Sequence, residues 1–141
     1  KIRVIGDIEP LETNQKQDSR ARSCYHRQRR SEFYDCLNYG SRDELTRAAQ
    51  KWRKTVQKED KAEEIDESVF ETYLDTHGIP DPDMMIRTSG EQRLSNYLLW
   101  QLAYSEFYFT DVLAGFTKEE LVKAIEEYNH RHRRFGKVEE A

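Results

Sequence analysis

The stretch from Asp83 to Gln101 constrains this chain more than any other. Met84-Met85-Ile86 is a short apolar run bounded by turn signals, and such a run predicts a buried strand. The chain then turns through Thr88-Ser89-Gly90 and resumes with the apolar run Tyr97 to Ala103. A strand, a polar turn and an apolar segment suit an open α/β sheet, where ligands gather at the carboxyl ends of the strands. Arg87, Thr88, Ser89, Glu91, Arg93, Ser95 and Asn96 are concentrated at that turn. Two guanidinium forks, several hydroxyls and backbone N–H groups on a glycine-containing turn suit a phosphate or a carboxylate. The same residues also suit a plainer role. Thr, Ser and Gly are ordinary caps and turn formers, and Arg87 with Glu91 could form a local ion pair of little energy. Spacing alone leaves both open.

The 141 residues have room for one domain with an adequate core. With 35% charged residues and a mean hydropathy of −1.00, either the surface is heavily charged or a segment stays unpacked. No apolar run is long enough to span a bilayer, and no signal-peptide pattern is present. Cys24 and Cys36 lack the spacing of a zinc site, so thiols in a reducing cytoplasm are expected. The net charge of −4 argues against general nucleic-acid binding, local basic clusters notwithstanding. The chain opens without Met, directly on a strand-like segment, and so reads as part of a longer protein.

Taken in order, Ile2 to Asp7 predicts a strand closing on a Gly-Asp turn. Between Glu12 and Glu32 only Ala21, Cys24 and Tyr25 are apolar, too few for a core-facing stripe. Its arginines could form a nucleic-acid or membrane-surface patch, but the composition of residues 11–35 favours a solvated or disordered segment. Phe33 to Gly40 predicts a strand. Ser41-Arg42-Asp43-Glu44 has the capping-box form and opens a helix along Leu45, Ala48, Ala49, Trp52 and Val56. Gln57 to Glu64 reads as a linker or a fraying helix end. Asp66 caps a further helix that buries Val69, Phe70, Tyr73 and Leu74 and stops at Gly78.

Beyond the central turn, Tyr97 to Tyr104 predicts a buried short helix and Phe107 to Thr110 an aromatic strand. Glu106 stands between them, among aromatics, and a carboxylate so placed needs a cation, either Arg or a metal ion, unless it faces water. Thr117 to Glu120 is a second capping box, opening a helix along Leu121, Ala124, Ile125 and Tyr128. Arg131, Arg133 and Arg134 before Gly136 are ordinary helix C-terminal chemistry. Arg134 could also lend its fork to an anion on a neighbouring subunit.

Ile2-Arg3-Val4-Ile5-Gly6-Asp7, Leu37 to Glu44, Asp83 to Asn96 with Leu98-Leu99-Trp100-Gln101, Tyr104-Ser105-Glu106 and Arg133 to Gly136 together resemble the cis-prenyltransferases. These are the undecaprenyl diphosphate synthase, or isoprenyl transferase, family. The resemblance covers roughly residues 1–9 and 36–137, a long collinear match. It implies an α/β fold in which a parallel β-sheet is flanked by helices. It implies Mg²⁺-dependent condensation of isopentenyl diphosphate with an allylic prenyl diphosphate, carried out by a homodimer whose cis-polyprenyl product partitions to the membrane. A cytoplasmic protein, at times at the membrane surface, would suit that chemistry, and no nucleic acid is implied.

By the same resemblance Arg87, Arg93 and Ser95 hold the diphosphate of isopentenyl diphosphate, and Glu106 helps position Mg²⁺. The Arg134-Phe135-Gly136 element, through Arg134 and Gly136, reaches a phosphate across the dimer interface. Gln92 stands where some members have a His that assists the metal, so no metal role is implied for it.

Two departures bear on activity. The family's N-terminal half, with its Asp-Gly-Asn-Gly-Arg-Trp loop and the residues of the condensation step, is absent from this sequence. Residues 11–35 interrupt the match with polar, Arg- and Gln-rich sequence, as a shifted frame would. The expectation is therefore a single partial domain carrying the isopentenyl diphosphate half-site and inactive alone. The alternative is a non-catalytic partner subunit or decayed fragment that contributes a dimer interface.

Overall fold

Parallel strand pairing, twice over, is the main architectural fact. The computed structural model describes residues 2–7, 32–59, 65–112 and 115–131. Arg134, Gly136, Cys24 and most of the 11–35 stretch lie outside these. The chain divides into two compact units, Lys1–Pro80 and Asp81–Ala141, and each is taken by itself.

In the first unit β1 (Ile2–Ile5) pairs in parallel with β2 (Phe33–Cys36), with Ile2 opposite Phe33 and Ile5 opposite Cys36. β-branched Ile and Val suit such a ladder, and Ile5 is buried. The backbones stay together past the strands, through Leu37 N–H to the Ile5 carbonyl (3.1 Å) and Asn38 Nδ2 to the Asp7 carbonyl (2.8 Å). Gly6 makes this approach possible. Its φ is +117°, and a Cβ there would lie 2.1 Å from the Leu37 carbonyl oxygen.

Helix α1 (Ser41–Glu59) follows, with Ala48 fully buried and Leu45, Trp52 and Val56 half-buried on one face. Ala49, expected on that face, is exposed. Gln57 to Glu59, expected in a linker or fraying helix end, are helical, and residues 60–64 lie outside the described residues. The expected capping box does not form as written. Ser41 is already the first helical residue, and the Glu44 N–H donates to the Gly40 carbonyl at 2.9 Å. Glu44 turns inward instead, 1% exposed, where its carboxylate accepts the Tyr39 hydroxyl (2.5 Å) and the Asp75 N–H (2.9 Å).

Helix α2 (Glu67–Glu71) is capped by Asp66, whose carboxylate accepts the Val69 N–H at 2.8 Å. It is shorter than predicted. Thr72, Tyr73 and Leu74 each bond three residues back, so the chain tightens into turns before Gly78. Leu74 is buried; Val69, Phe70 and Tyr73 are half-buried.

In the second unit β3 (Met84–Arg87) pairs in parallel with β4 (Glu106–Phe109), with Met84 opposite Glu106 and Arg87 opposite Phe109. All four residues of β3 are half-buried, where the apolar run predicts a buried strand. The predicted helix at Tyr97–Tyr104 is a succession of turns. Ser95, Asn96 and Leu98 have φ of +51°, +63° and +43°, which no right-handed helix accommodates. Tyr104 is 71% exposed, while Gln101 and Leu102 are buried.

Helix α3 (Lys118–His130) begins after Thr117, whose side chain makes no capping bond to the backbone. The Thr117 hydroxyl engages Glu119 instead, and Glu120 pairs with Lys123, so the second capping box is also replaced by local contacts. Ala124 is buried, but Leu121 and Ile125, expected in the core, are 40% and 43% exposed. Among the described residues no helix is long and apolar enough to cross a membrane.

Candidate functional site

Arg87 ends β3, and the chain leaves it through a turn that stays locked to the end of β4. The Thr110 N–H donates to the Arg87 carbonyl and the Gly90 N–H to the Thr110 carbonyl, each at 2.9 Å. Gly90 has φ +67°, and a Cβ there would stand 2.7 Å from the Asp111 carboxylate. Ser89 and Gly90 in the left-handed region reverse the chain, and Ser95 and Asn96 bend it a second time. The result brings Ser95 back to Arg87: Arg87 Nη2 lies 3.4 Å from Ser95 Oγ, at the long end of a hydrogen bond. Arg93 does not share that contact. Its guanidinium donates to Glu91, so the local pair expected between Arg87 and Glu91 is made by Arg93. Both partners are well exposed, and such a pair is worth little. A half-buried guanidinium beside a hydroxyl, with a second guanidinium on the same loop, can accept an oxyanion.

Glu106 opens β4, its N–H donating to the Asp83 carbonyl at 3.0 Å. Side chains alternate along a strand and paired positions share a face, so Glu106 with Met84 and Arg87 with Phe109 belong to opposite faces of the β3–β4 pair. Phe107 and Phe109, whose rings stack at 6.1 Å, mark the Arg87 side. The cation that Glu106 requires is Arg131: Nη1 donates to Glu106 Oε2 and to the Phe107 carbonyl, each at 2.9 Å. Nη2 donates to Glu127, one turn earlier on α3. Hydrogen bonds donated to Glu127 and then to Glu106 raise the pKa of Arg131 above its ordinary value. Sequence reasoning assigns Arg131 to helix-end chemistry; the demand of Glu106 for a cation is the signal that could have found it.

The first unit holds a second polar network that the sequence did not announce. The Arg47 fork donates to both carboxylate oxygens of Asp75 (3.0 and 2.7 Å), while its Nε reaches Asp43 at 2.7 Å. Burial acts to raise the Asp75 pKa, but Arg47, with help from Lys51, holds it below the usual carboxylate value. The Tyr39 hydroxyl is pushed up by burial and by the Glu44 carboxylate beside it. A cavity of about 390 Å³ is lined by Gly6, Asp7, Arg47, Lys51, Lys54 and Asp75 among others, and none of the substrate- or metal-binding residues expected from sequence lines it.

Known proteins supply the deciding observation. Residues 1–136 match the Prenyltransf family, described as undecaprenyl diphosphate synthase. The chain belongs to this family. An isoprenyl transferase of Chlamydia trachomatis serovar D is 45% identical over 143 residues, covering 97% of this chain and 55% of the relative. One from Bacillus anthracis is 51% identical over 104 residues, covering 72% of this chain and 40% of the relative. Among solved structures, the lavandulyl diphosphate synthase of Lavandula x intermedia, in complex with dimethylallyl diphosphate, is similar with a TM-score of 0.88 and 37% identity, over 97% of this chain and 60% of that one. The Campylobacter jejuni protein described as a probable undecaprenyl diphosphate synthase gives 0.77 and 34%, over 97% and 63%.

This prenyltransferase family member thus spans about half the length of the curated relatives it matches. Its parallel strands and flanking helices agree with the α/β architecture of its structural relatives. For a divalent cation the described residues offer no group of three or more His, Cys, Asp or Glu side chains. Glu106 offers one carboxylate oxygen, Oε1, that makes no hydrogen bond among the described residues. One such hard donor fits Mg²⁺, which keeps most of its waters and takes one or two carboxylates together with substrate phosphates.

Proposed function

We propose that this chain carries the isopentenyl diphosphate half-site of a cis-prenyl diphosphate synthase. Arg87, Arg93 and Ser95 hold the diphosphate. Arg87 and Ser95 supply donors already facing one another, and Arg93 leaves Glu91 at small energetic cost to add a second fork. Glu106 provides a carboxylate oxygen to Mg²⁺, which when bound offsets the charge of the leaving diphosphate. The co-substrate is an allylic prenyl diphosphate and the product a cis-polyprenyl diphosphate, apolar enough to partition to the membrane. The working form is a homodimer in which Arg134 and Gly136 approach a phosphate of the neighbouring subunit. The 141 residues alone bind isopentenyl diphosphate without condensing it.

The observation that carries this reading is the Arg87–Ser95 approach within a family match spanning residues 1–136. The test is complementation with the part of an isoprenyl transferase that this chain does not span. Mg²⁺-dependent transfer from isopentenyl diphosphate is expected for the complemented chain, and its loss with Arg87→Ala. Equal turnover with Arg87→Ala contradicts the assignment, and condensation by the 141 residues alone contradicts the half-site.

A further inference from the structure

Two part-buried Arg–carboxylate pairs among the described residues are built differently. In the first unit the Arg47 fork closes on Asp75, one donor to each oxygen, so both oxygens are taken. In the second, Arg131 approaches Glu106 through Nη1 alone and bonds only Oε2. The cause is on α3: Glu127 draws Nη2 to itself, and the Phe107 carbonyl shares Nη1. Three acceptors on two elements therefore fix the plane of the guanidinium. Arg131 is also the C-cap of α3, its N–H bonded to the Tyr128 carbonyl, so its backbone is anchored as well.

We infer that Arg131 is a positioning residue that fixes Glu106 by one oxygen and presents the other to a divalent cation, with Glu127 keeping the fork from closing over both. The inference rests on the metal role proposed above for Glu106. Charge agrees with it: Glu106, Glu127 and Arg131 together carry one negative charge, so the trio attracts a cation despite its arginine. Hydrogen-bonded supports of a metal-binding carboxylate commonly change metal affinity by about 10–100-fold when removed.

The probe is Mn²⁺ alone, a paramagnetic ion that accepts the same oxygen donors as Mg²⁺, added to the 141-residue chain. Broadening of the Glu106 and Phe107 amide signals is followed by NMR, with the rest of the spectrum reporting the fold. Half-saturation is expected to rise about tenfold or more with Arg131→Ala. It is expected to rise by a smaller factor with Glu127→Gln, whose neutral amide oxygen holds Nη2 less firmly and lets the fork turn toward both oxygens. Glu126→Gln removes the same charge from the neighbouring exposed position and should leave half-saturation unchanged. If Glu106→Gln leaves the broadening intact, the metal role and the inference fail together. If Glu106→Gln abolishes it while Arg131→Ala or Glu127→Gln matches the parent, the metal role stands and positioning is overturned. Tighter binding by Arg131→Ala makes the arginine a competitor for Glu106 and also overturns it. Equal weakening by Glu126→Gln reduces the effect of Glu127 to bulk charge and overturns positioning as well.

Discussion

Arg47 and Asp75 are joined by two parallel hydrogen bonds, of 3.0 and 2.7 Å, with Asp75 only 13% exposed. The pair ties α1 to the turns that follow α2, and Lys51 stands 3.6 Å from the same carboxylate. Because the folded Asp75 titrates below its unfolded value, its contribution is complete above roughly pH 4 and fades as pH falls through the folded pKa. Urea unfolding should therefore show stability falling with acid below that pH, and Asp75→Asn should flatten that fall. At neutral pH the same substitution should cost about 1.5–3 kcal/mol, the range for hydrogen bonds to a charged group.

Glu44 is nearly inaccessible, and its donors include the Tyr39 hydroxyl and the Asp75 N–H. Tyr39→Phe removes one donor from a buried carboxylate without changing the shape of the ring. Thermal or denaturant unfolding should register a loss of about 1–3 kcal/mol. In the parent, spectrophotometric titration should find Tyr39 still protonated where ordinary tyrosines ionise, because burial and the neighbouring carboxylate both oppose its anion.

Gly90 holds φ +67° under the Asp111 carboxylate. Gly90→Ala adds a methyl to a conformation that L-residues rarely adopt and sets it against Asp111. The expected loss is about 1 kcal/mol or more. If the loop is what brings Ser95 to Arg87, isopentenyl diphosphate binding should weaken in the same variant. Calorimetry on Gly90→Ala, beside its unfolding curve, separates the two effects.

The strongly patterned elements were legible from sequence. The four described strands, the long helix after Gly40, the cap at Asp66 and the final helix follow from periodicity and turn chemistry, while parallel pairing is implied only by the family resemblance. Each miss has a physical reason. Ser41 and Glu44 spell a capping box, but a carboxylate with Tyr39 and Asp75 within reach finds its donors in the interior. Tyr97 to Tyr104 is apolar enough for a helix, yet three preceding or internal residues with positive φ forbid one. Arg47–Asp75 and Arg131–Glu106 join residues 28 and 25 positions apart, distances at which no local pattern speaks. Arg87 and Ser95, by contrast, are eight residues apart on one turn, and their meeting could be anticipated from the turn itself.

The diphosphate site is tested most directly by calorimetric titration of the 141-residue chain with isopentenyl diphosphate. Saturable binding is predicted for the parent. Arg87→Ala should weaken it by about 10–150-fold, the equivalent of 1.5–3 kcal/mol of charge-assisted hydrogen bonding. No binding by the parent, or equal affinity with Arg87→Ala, contradicts the account.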